Sequence, residues 1–141
     1  MPRAHSTRSI LRWGALIVSL AGLGAVQAQD SIPPMVKTQG AVQYACGGIG
    51  SDESTAMRAV MKDYPLSLLF ATGNGEYVAS VDVDINSTGD APIARFKAQG
   101  PVCLIKLPSG QYTVKATLQG KEAQSKKVTV GGDGKSLDFR F

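Results

Sequence analysis

The stretch "YVASVDVDIN", Tyr77 to Asn86, alternates apolar and polar residues from Ala79 onward. Ala79, Val81, Val83 and Ile85 fall on one side of an extended chain, and Ser80, Asp82, Asp84 and Asn86 fall on the other. Successive strand side chains point to opposite faces, whereas a helix face repeats every three to four residues. The period therefore fixes a half-buried β-strand, and its apolar face needs a second layer to cover it. "LSLLFAT" repeats the pattern with Leu66, Leu68 and Phe70, and "PIARFKAQ", "PVCLIKL", "QYTVKATLQ", "QSKKVTV" and "SLDFRF" follow. The turn signals "GNGE", "STGDA", "GP", "PSG", "GKEA" and "GGDGK" separate them. With "AVQYAC" upstream, this makes about eight short strands with a turn every 8–12 residues, the spacing of a mainly β protein built as an antiparallel β-sandwich.

One segment breaks the alternation. Met57, Val60, Met61 and Tyr64 recur at helical spacing, and Pro65 stops the run, which predicts one short N-terminal helix. Ser51 stands where an N-cap belongs, and Asp52 and Glu53 fall in the first turn, where acids complement the helix dipole. Before it lies "YACGGIGSDES", which admits three readings: a phosphate loop, a reactive thiol, or a strand-to-helix corner. A Walker loop needs Lys and then Ser or Thr after its last glycine, and Ser51-Asp52 stand there instead. A dinucleotide fingerprint needs a third glycine where Glu53 stands, and two acids at a helix N-terminus repel a phosphate. Gly47, Gly48 and Gly50 are better explained as residues that supply positive φ to a sharp corner.

The first 28 residues read as a cleavable signal peptide. Arg3, Arg8 and Arg12 form a basic start, an apolar run follows, and Val26-Gln27-Ala28 has the small-residue pattern of a cleavage site. The apolar run "WGALIVSLAGLGAV" is about 14 residues, short of the roughly 20 that span a bilayer, so no membrane anchor is expected after cleavage. The whole chain carries 15 Lys and Arg against 11 Asp and Glu, and loss of the three arginines leaves 12 against 11. That near balance disfavours nucleic acid as a partner. The one histidine, His5, leaves with the signal, which removes Ser-His and Cys-His catalysis and the commonest zinc ligand. Residues 29–40, with Pro33-Pro34, read as a flexible arm, and residues 41–141 as one sandwich domain. The expected location is periplasmic or secreted.

Two cysteines remain, Cys46 and Cys103, too far apart for a CxxC pair. In an exported chain an even count favours a structural disulfide between them, the alternative being two buried thiols. "DVDIN" copies the first ligand positions of a calcium loop with Asp82, Asp84 and Asn86, but Ser87 and Ile93 replace the required glycine and glutamate. No metal site and no cofactor are expected.

"LPSGQYTVKA" is the most specific stretch: a Pro108-Ser109-Gly110 turn feeds a strand, and Tyr112 is placed to bond back to the turn as tyrosine corners do. Together with its flanks, from Gly100 to Val130, it resembles the carboxypeptidase regulatory-like domain, a prealbumin-like β-sandwich whose signature is Leu-Pro-x-Gly-x-Tyr-x-Val. Leu107, Pro108, Gly110, Tyr112 and Val114 match, and the likeness covers roughly residues 66–141. The glycine corner and its helix lie outside that domain's usual pattern and are similar to those of small exported proteobacterial proteins. The resemblance implies a non-enzymatic binding or structural module of the cell envelope, with a protein or a glycan as partner. The related hydroxyisourate hydrolase works through histidines and a Tyr-Arg-Gly-Ser motif, and neither occurs after residue 28. Two alternatives stand beside this reading. One is a carboxylate enzyme built on Asp82 and Asp84. The other is a carbohydrate-binding sandwich, which needs exposed aromatic rings, whereas Phe70, Phe96 and Tyr112 sit in strands where core is expected. The C-terminal "SLDFRF", alternating Leu137, Phe139 and Phe141 with polar residues, is the candidate edge for accepting a partner strand, the alternative being a strand paired inside the sheet.

Overall fold

The alternating segments assemble into two sheets with their apolar faces turned inward. The computed structural model describes Gly22 and residues 36–141, and the rest of the signal segment lies outside the described residues. The elements are β1 (Lys37–Gln39), β2 (Val42–Gly47), α1 (Ser51–Val60), a 3-10 turn (Met61–Asp63), β3 (Leu66–Ala71), β4 (Val81–Ser87), β5 (Pro92–Ala98), β6 (Val102–Lys106), β7 (Gly110–Thr117), β8 (Gln124–Val130) and β9 (Lys135–Arg140). One sheet has five strands in the order β1-β2-β6-β3-β9, and the other has four in the order β5-β4-β7-β8. Leu66, Leu68 and Phe70 meet Val81, Val83 and Ile85 across the interior, all of them fully buried. The rings of Tyr44 and Phe96 stack between the sheets at 3.9 Å. The molecule is thus a mainly β sandwich with one short helix, as the periodicity requires.

Three features depart from the sequence reading. Residues 37–39, expected in a flexible arm, form a ninth strand paired with β2 in the register Lys37–Tyr44 to Gln39–Val42. Gly40 at φ 54 supplies the positive φ of a two-residue hairpin turn, which the arm reading overlooked. The sandwich is also not wholly antiparallel, because β9 pairs with β3 in parallel from Leu66–Lys135 to Ala71–Arg140. The chain crosses from the four-stranded sheet between Val130 and Lys135, and the short crossing makes β9 run in the same direction as β3. Thirdly, β4 begins at Val81 rather than Tyr77, because Ser80 takes φ 59 and turns the chain there.

The helix packs on the outer face of the five-stranded sheet. Met57 is fully buried against Val102 and Leu104, with Val60, Met61, Tyr64 and Leu69 around it. That contact explains "VCLI" in β6, an unbroken apolar run: Cys103 and Ile105 face the sandwich, while Val102 and Leu104 face the helix. Ser67, buried in β3, donates its hydroxyl to the Met61 carbonyl at 3.0 Å and satisfies both groups. The N-cap is Gly50, not Ser51. Gly50 sits at φ 91 and accepts the Ser54 N–H at 3.0 Å, so the corner finishes one residue early and Ser51 becomes the first helical residue.

Candidate functional site

The glycine corner is held by backbone approach as much as by positive φ. Gly48 and Gly50 take φ 93 and 91, as a corner demands. Gly47 does not: it ends β2 with ordinary strand geometry, and its requirement is space. A Cβ there would lie 2.4 Å from Glu53 Oε1 and 3.0 Å from Met57 Sδ. On the other side Gly100 presses against it, with a built Cβ 2.2 Å from the Gly47 carbonyl oxygen. One residue upstream, Cys46 and Cys103 stand opposite each other in the β2–β6 register and form a disulfide. Their Cα atoms are 4.1 Å apart, about as close as opposed residues on antiparallel neighbours come. The bridge clamps the end of β2 to the central strand of its sheet, so the corner has a fixed base. No free cysteine remains among the described residues, and the reactive-thiol reading ends there.

This rigid corner carries an exposed apolar residue. Ile49 is 66% exposed and Tyr77 is 42% exposed. Both line one groove of about 500 Å³ with Gly48, Ser51, Val78 and Pro101. Arg58 reaches from α1 to lie 5.9 Å above the Tyr77 ring, which fixes the ring beside the helix. Ser54 lines it as well as Ser51, so the groove lies against the start of α1.

Other residues singled out from sequence lie elsewhere. Tyr112 donates its hydroxyl to the Pro108 carbonyl at 2.6 Å and locks the turn that opens β7. Tyr112→Phe is expected to lower stability by about 1–2 kcal/mol, read by urea denaturation, because it leaves that carbonyl without its partner. Asp82 and Asp84 sit on the outer face of the four-stranded sheet. Asp84 pairs with Arg95 at 2.5 Å and Asp82 with Lys97 at 3.8 Å, each with the residue directly opposite on β5. The structure brings neither near the glycine corner, and among the described residues no group of three or more His, Cys, Asp or Glu could hold a metal.

The edge strand β9 is where the sequence placed it, but it is not open. Its outward carbonyls at Asp138 and Arg140 accept hydrogen bonds from Lys126 Nζ and Gln124 Nε2, both on β8 of the other sheet. The opposite flank is laced in the same way. Gln39 Nε2 donates to the Arg95 carbonyl at 2.7 Å, and the Arg95 N–H donates to Gln39 Oε1 at 2.9 Å. One side-chain amide thus satisfies both backbone groups of an edge residue on β5. Such lacing occupies part of the backbone edge that an added strand would use. A second, polar groove of about 340 Å³ lies between the β4–β5 turn and β7–β8, lined by Asp90, Gln111, Thr113, Lys127 and Thr129 among others.

Ile49, Tyr77 and Gly100 are the residues that sequence reasoning missed. Ile49 carried a usable signal: an apolar residue between glycines, with no periodic partner, has no element to bury it. Tyr77 opens the alternating run that predicts β4, and the turn at Ser80 separates it from that strand. Gly100 read as an ordinary turn residue. No protein-family model matches the chain, and no curated protein matches it.

Proposed function

We propose that this chain is an exported, non-enzymatic binding module of the bacterial cell envelope, and that it acts through the groove at its glycine corner. The observation that carries the reading is the concentration of exposed apolar surface, Ile49 and Tyr77, in one groove on a disulfide-clamped base. A rigid, apolar, concave surface is suited to recognition. The carboxylates that an enzyme would use are instead engaged in cross-strand ion pairs. The disulfide suits an oxidising compartment, and no helix among the described residues is long and apolar enough to cross a membrane. The resemblance to the carboxypeptidase regulatory-like domain supports the same class of role. The glycan reading rests on the polar groove, whose hydroxyls and amides suit sugars. Its only aromatic lining residue, Tyr112, is buried and offers no stacking face.

The test is rescue of a deletion strain by variants whose fold is checked by circular dichroism. Ile49→Asp is expected to abolish rescue, while Asp82→Ala and Asp84→Ala retain it. A loss of rescue on either carboxylate change, with the fold intact, would overturn the non-enzymatic reading.

A further inference from the structure

We infer that Asn74 is a site of spontaneous modification, at which the side-chain amide is lost as ammonia and the turn before Tyr77 is rebuilt through an aspartyl or isoaspartyl residue. The chain has two asparagines, and only Asn74 is followed by glycine, in "GNGE". Ring closure onto a glycine nitrogen meets no Cβ on the attacking residue, so this pair is the least hindered of its kind. The Gly75 nitrogen attacks Asn74 Cγ and a C–N bond forms. The amide nitrogen leaves as ammonia, carrying the proton that Gly75 gave up, and a cyclic imide remains. Water then opens the ring at either carbonyl. One opening gives aspartate, and the other gives isoaspartate, whose backbone runs through Cγ. The step needs no enzyme and no reagent but water.

The fold presents this pair to the reaction. Residues 73–77 are all exposed. The side-chain hydrogen bond of the turn is made by Thr72, whose Oγ1 accepts the Glu76 N–H at 3.2 Å, and the Asn74 amide has none among the described residues. One backbone bond restrains the nucleophile: the Gly75 N–H donates to the Thr72 carbonyl at 2.9 Å. That bond has to open for the attack, so the folded protein reacts more slowly than an unfolded chain. Arg140 works the other way. A Cβ built on Gly75 would lie 3.7 Å from Arg140 Nη1, so the guanidinium stands beside the attacking residue. Positive charge there favours the amide anion that attacks and the oxyanion that forms at Cγ. Asp138, 3.8 Å from Arg140 Nη2, and Glu76, next in the chain, offset part of it. Asn86, by contrast, is half-buried inside β4 and is followed by Ser87.

The consequence is a loosened turn. The Thr72 N–H donates to the Glu76 carbonyl at 2.7 Å, the Gly73 N–H to the Phe141 oxygen at 2.8 Å, and the Val78 N–H to the Phe70 carbonyl at 3.2 Å. An isoaspartyl link lengthens the backbone by one atom inside this set, so the bonds cannot all be kept. Tyr77, which bridges to Ala71 and lines the groove, loses its anchor. The chemistry is independent of the groove, and only its effect on recognition rests on the groove reading.

The oxidised, folded protein is incubated in mildly alkaline buffer and sampled over weeks. Peptide mapping by mass spectrometry follows amide loss, and an isoaspartate-specific methyltransferase with a labelled methyl donor marks the isoaspartyl product. Conversion is expected at Asn74 and not at Asn86, with label on the peptide that holds residue 74. Asn74→Gln is expected to remain unlabelled. Arg140→Gln is expected to slow the reaction about 3-fold in the folded protein, the effect of one screened surface charge, and to leave the rate in concentrated urea unchanged. The isoaspartyl fraction, separated by ion exchange, is expected to exchange its amide hydrogens faster at Thr72, Gly73 and Val78. An Asn74 that stays intact in the folded protein while it converts in urea overturns the inference, because the turn then forbids the attack. Equal rates for wild type and Arg140→Gln in the folded state overturn the part given to Arg140. Unchanged hydrogen exchange in the isoaspartyl fraction overturns the loosening of the turn. None of these readouts uses rescue of the deletion strain, so their failure is distinct from failure of the groove reading.

Discussion

Replacing Cys46 and Cys103 together with alanine is expected to lower the unfolding free energy by about 4 kcal/mol. The bridge joins residues 57 apart in sequence. In the chain-entropy account, closing a loop of that length restricts the unfolded chain by roughly this amount. Cys103 is fully buried between the sheets and Cys46 packs against the same core, so alanine also leaves a small void. For a domain of this size the loss corresponds to a fall in Tm of roughly 15–30 °C. Alanine is preferred to serine, because a hydroxyl placed there would add a burial penalty of its own. Urea denaturation of the oxidised wild type and the double variant checks the figure. A difference under about 1 kcal/mol would mean that the β2–β6 pairing alone holds the corner and the bridge contributes little. The same variant bears on function, since the bridge fixes the base from which Ile49 projects.

The sandwich was legible because its strands alternate. Val81, Val83 and Ile85 have a period of two that no other element accepts, and the eight strands read from sequence lie where they were expected apart from their ends. The ninth strand was hidden by length: "KTQ" is three polar residues, with no apolar pattern to mark it, and its evidence is the positive φ at Gly40. The parallel pairing of β9 was hidden for another reason. Strand direction within a sheet depends on which sheet the previous strand occupies, and no local pattern in "SLDFRF" encodes that. The helix followed from Met57, Val60, Met61 and Tyr64. Its docking face follows from the doubly apolar "VCLI", once β6 is known to lie at the centre of its sheet.

The candidate site was legible only in its frame. The cysteines, the glycine corner and the tyrosine lock could be placed because each has a strong local constraint. The groove could not, because it is made where three segments distant in sequence meet: the corner, the turn before β4 and the turn before β6. Gln39, Gln124 and Lys126 illustrate the same limit. As polar strand residues they look like solvent-facing positions, yet each reaches across to the backbone of the opposite sheet. Their partners are set by the distance between sheet flanks, which is a tertiary quantity.

Gly100→Ala should be among the most damaging single changes in the molecule, and more damaging than Gly50→Ala. The two glycines are required for different reasons. Gly50 takes φ 91 with nothing within 4 Å of a built Cβ, so alanine there meets only backbone strain, about 1–2 kcal/mol. At Gly100 a Cβ would lie 2.2, 2.4 and 2.8 Å from the carbonyl oxygen, the carbonyl carbon and the Cα of Gly47. All three are backbone atoms, so no side chain can swing aside. The end of β2 and the turn before β6 would have to part just where the disulfide holds those strands together. Overpacking of that kind costs about 3 kcal/mol or more when the neighbours cannot yield. The displacement would also carry Pro101, and with it one wall of the groove, so a Gly100→Ala protein that still folds should lose groove function. Urea denaturation of the two variants side by side decides the matter. If Gly50→Ala were the more destabilising, positive φ would govern the corner, and the close approach of Gly47 and Gly100 would have little energetic weight.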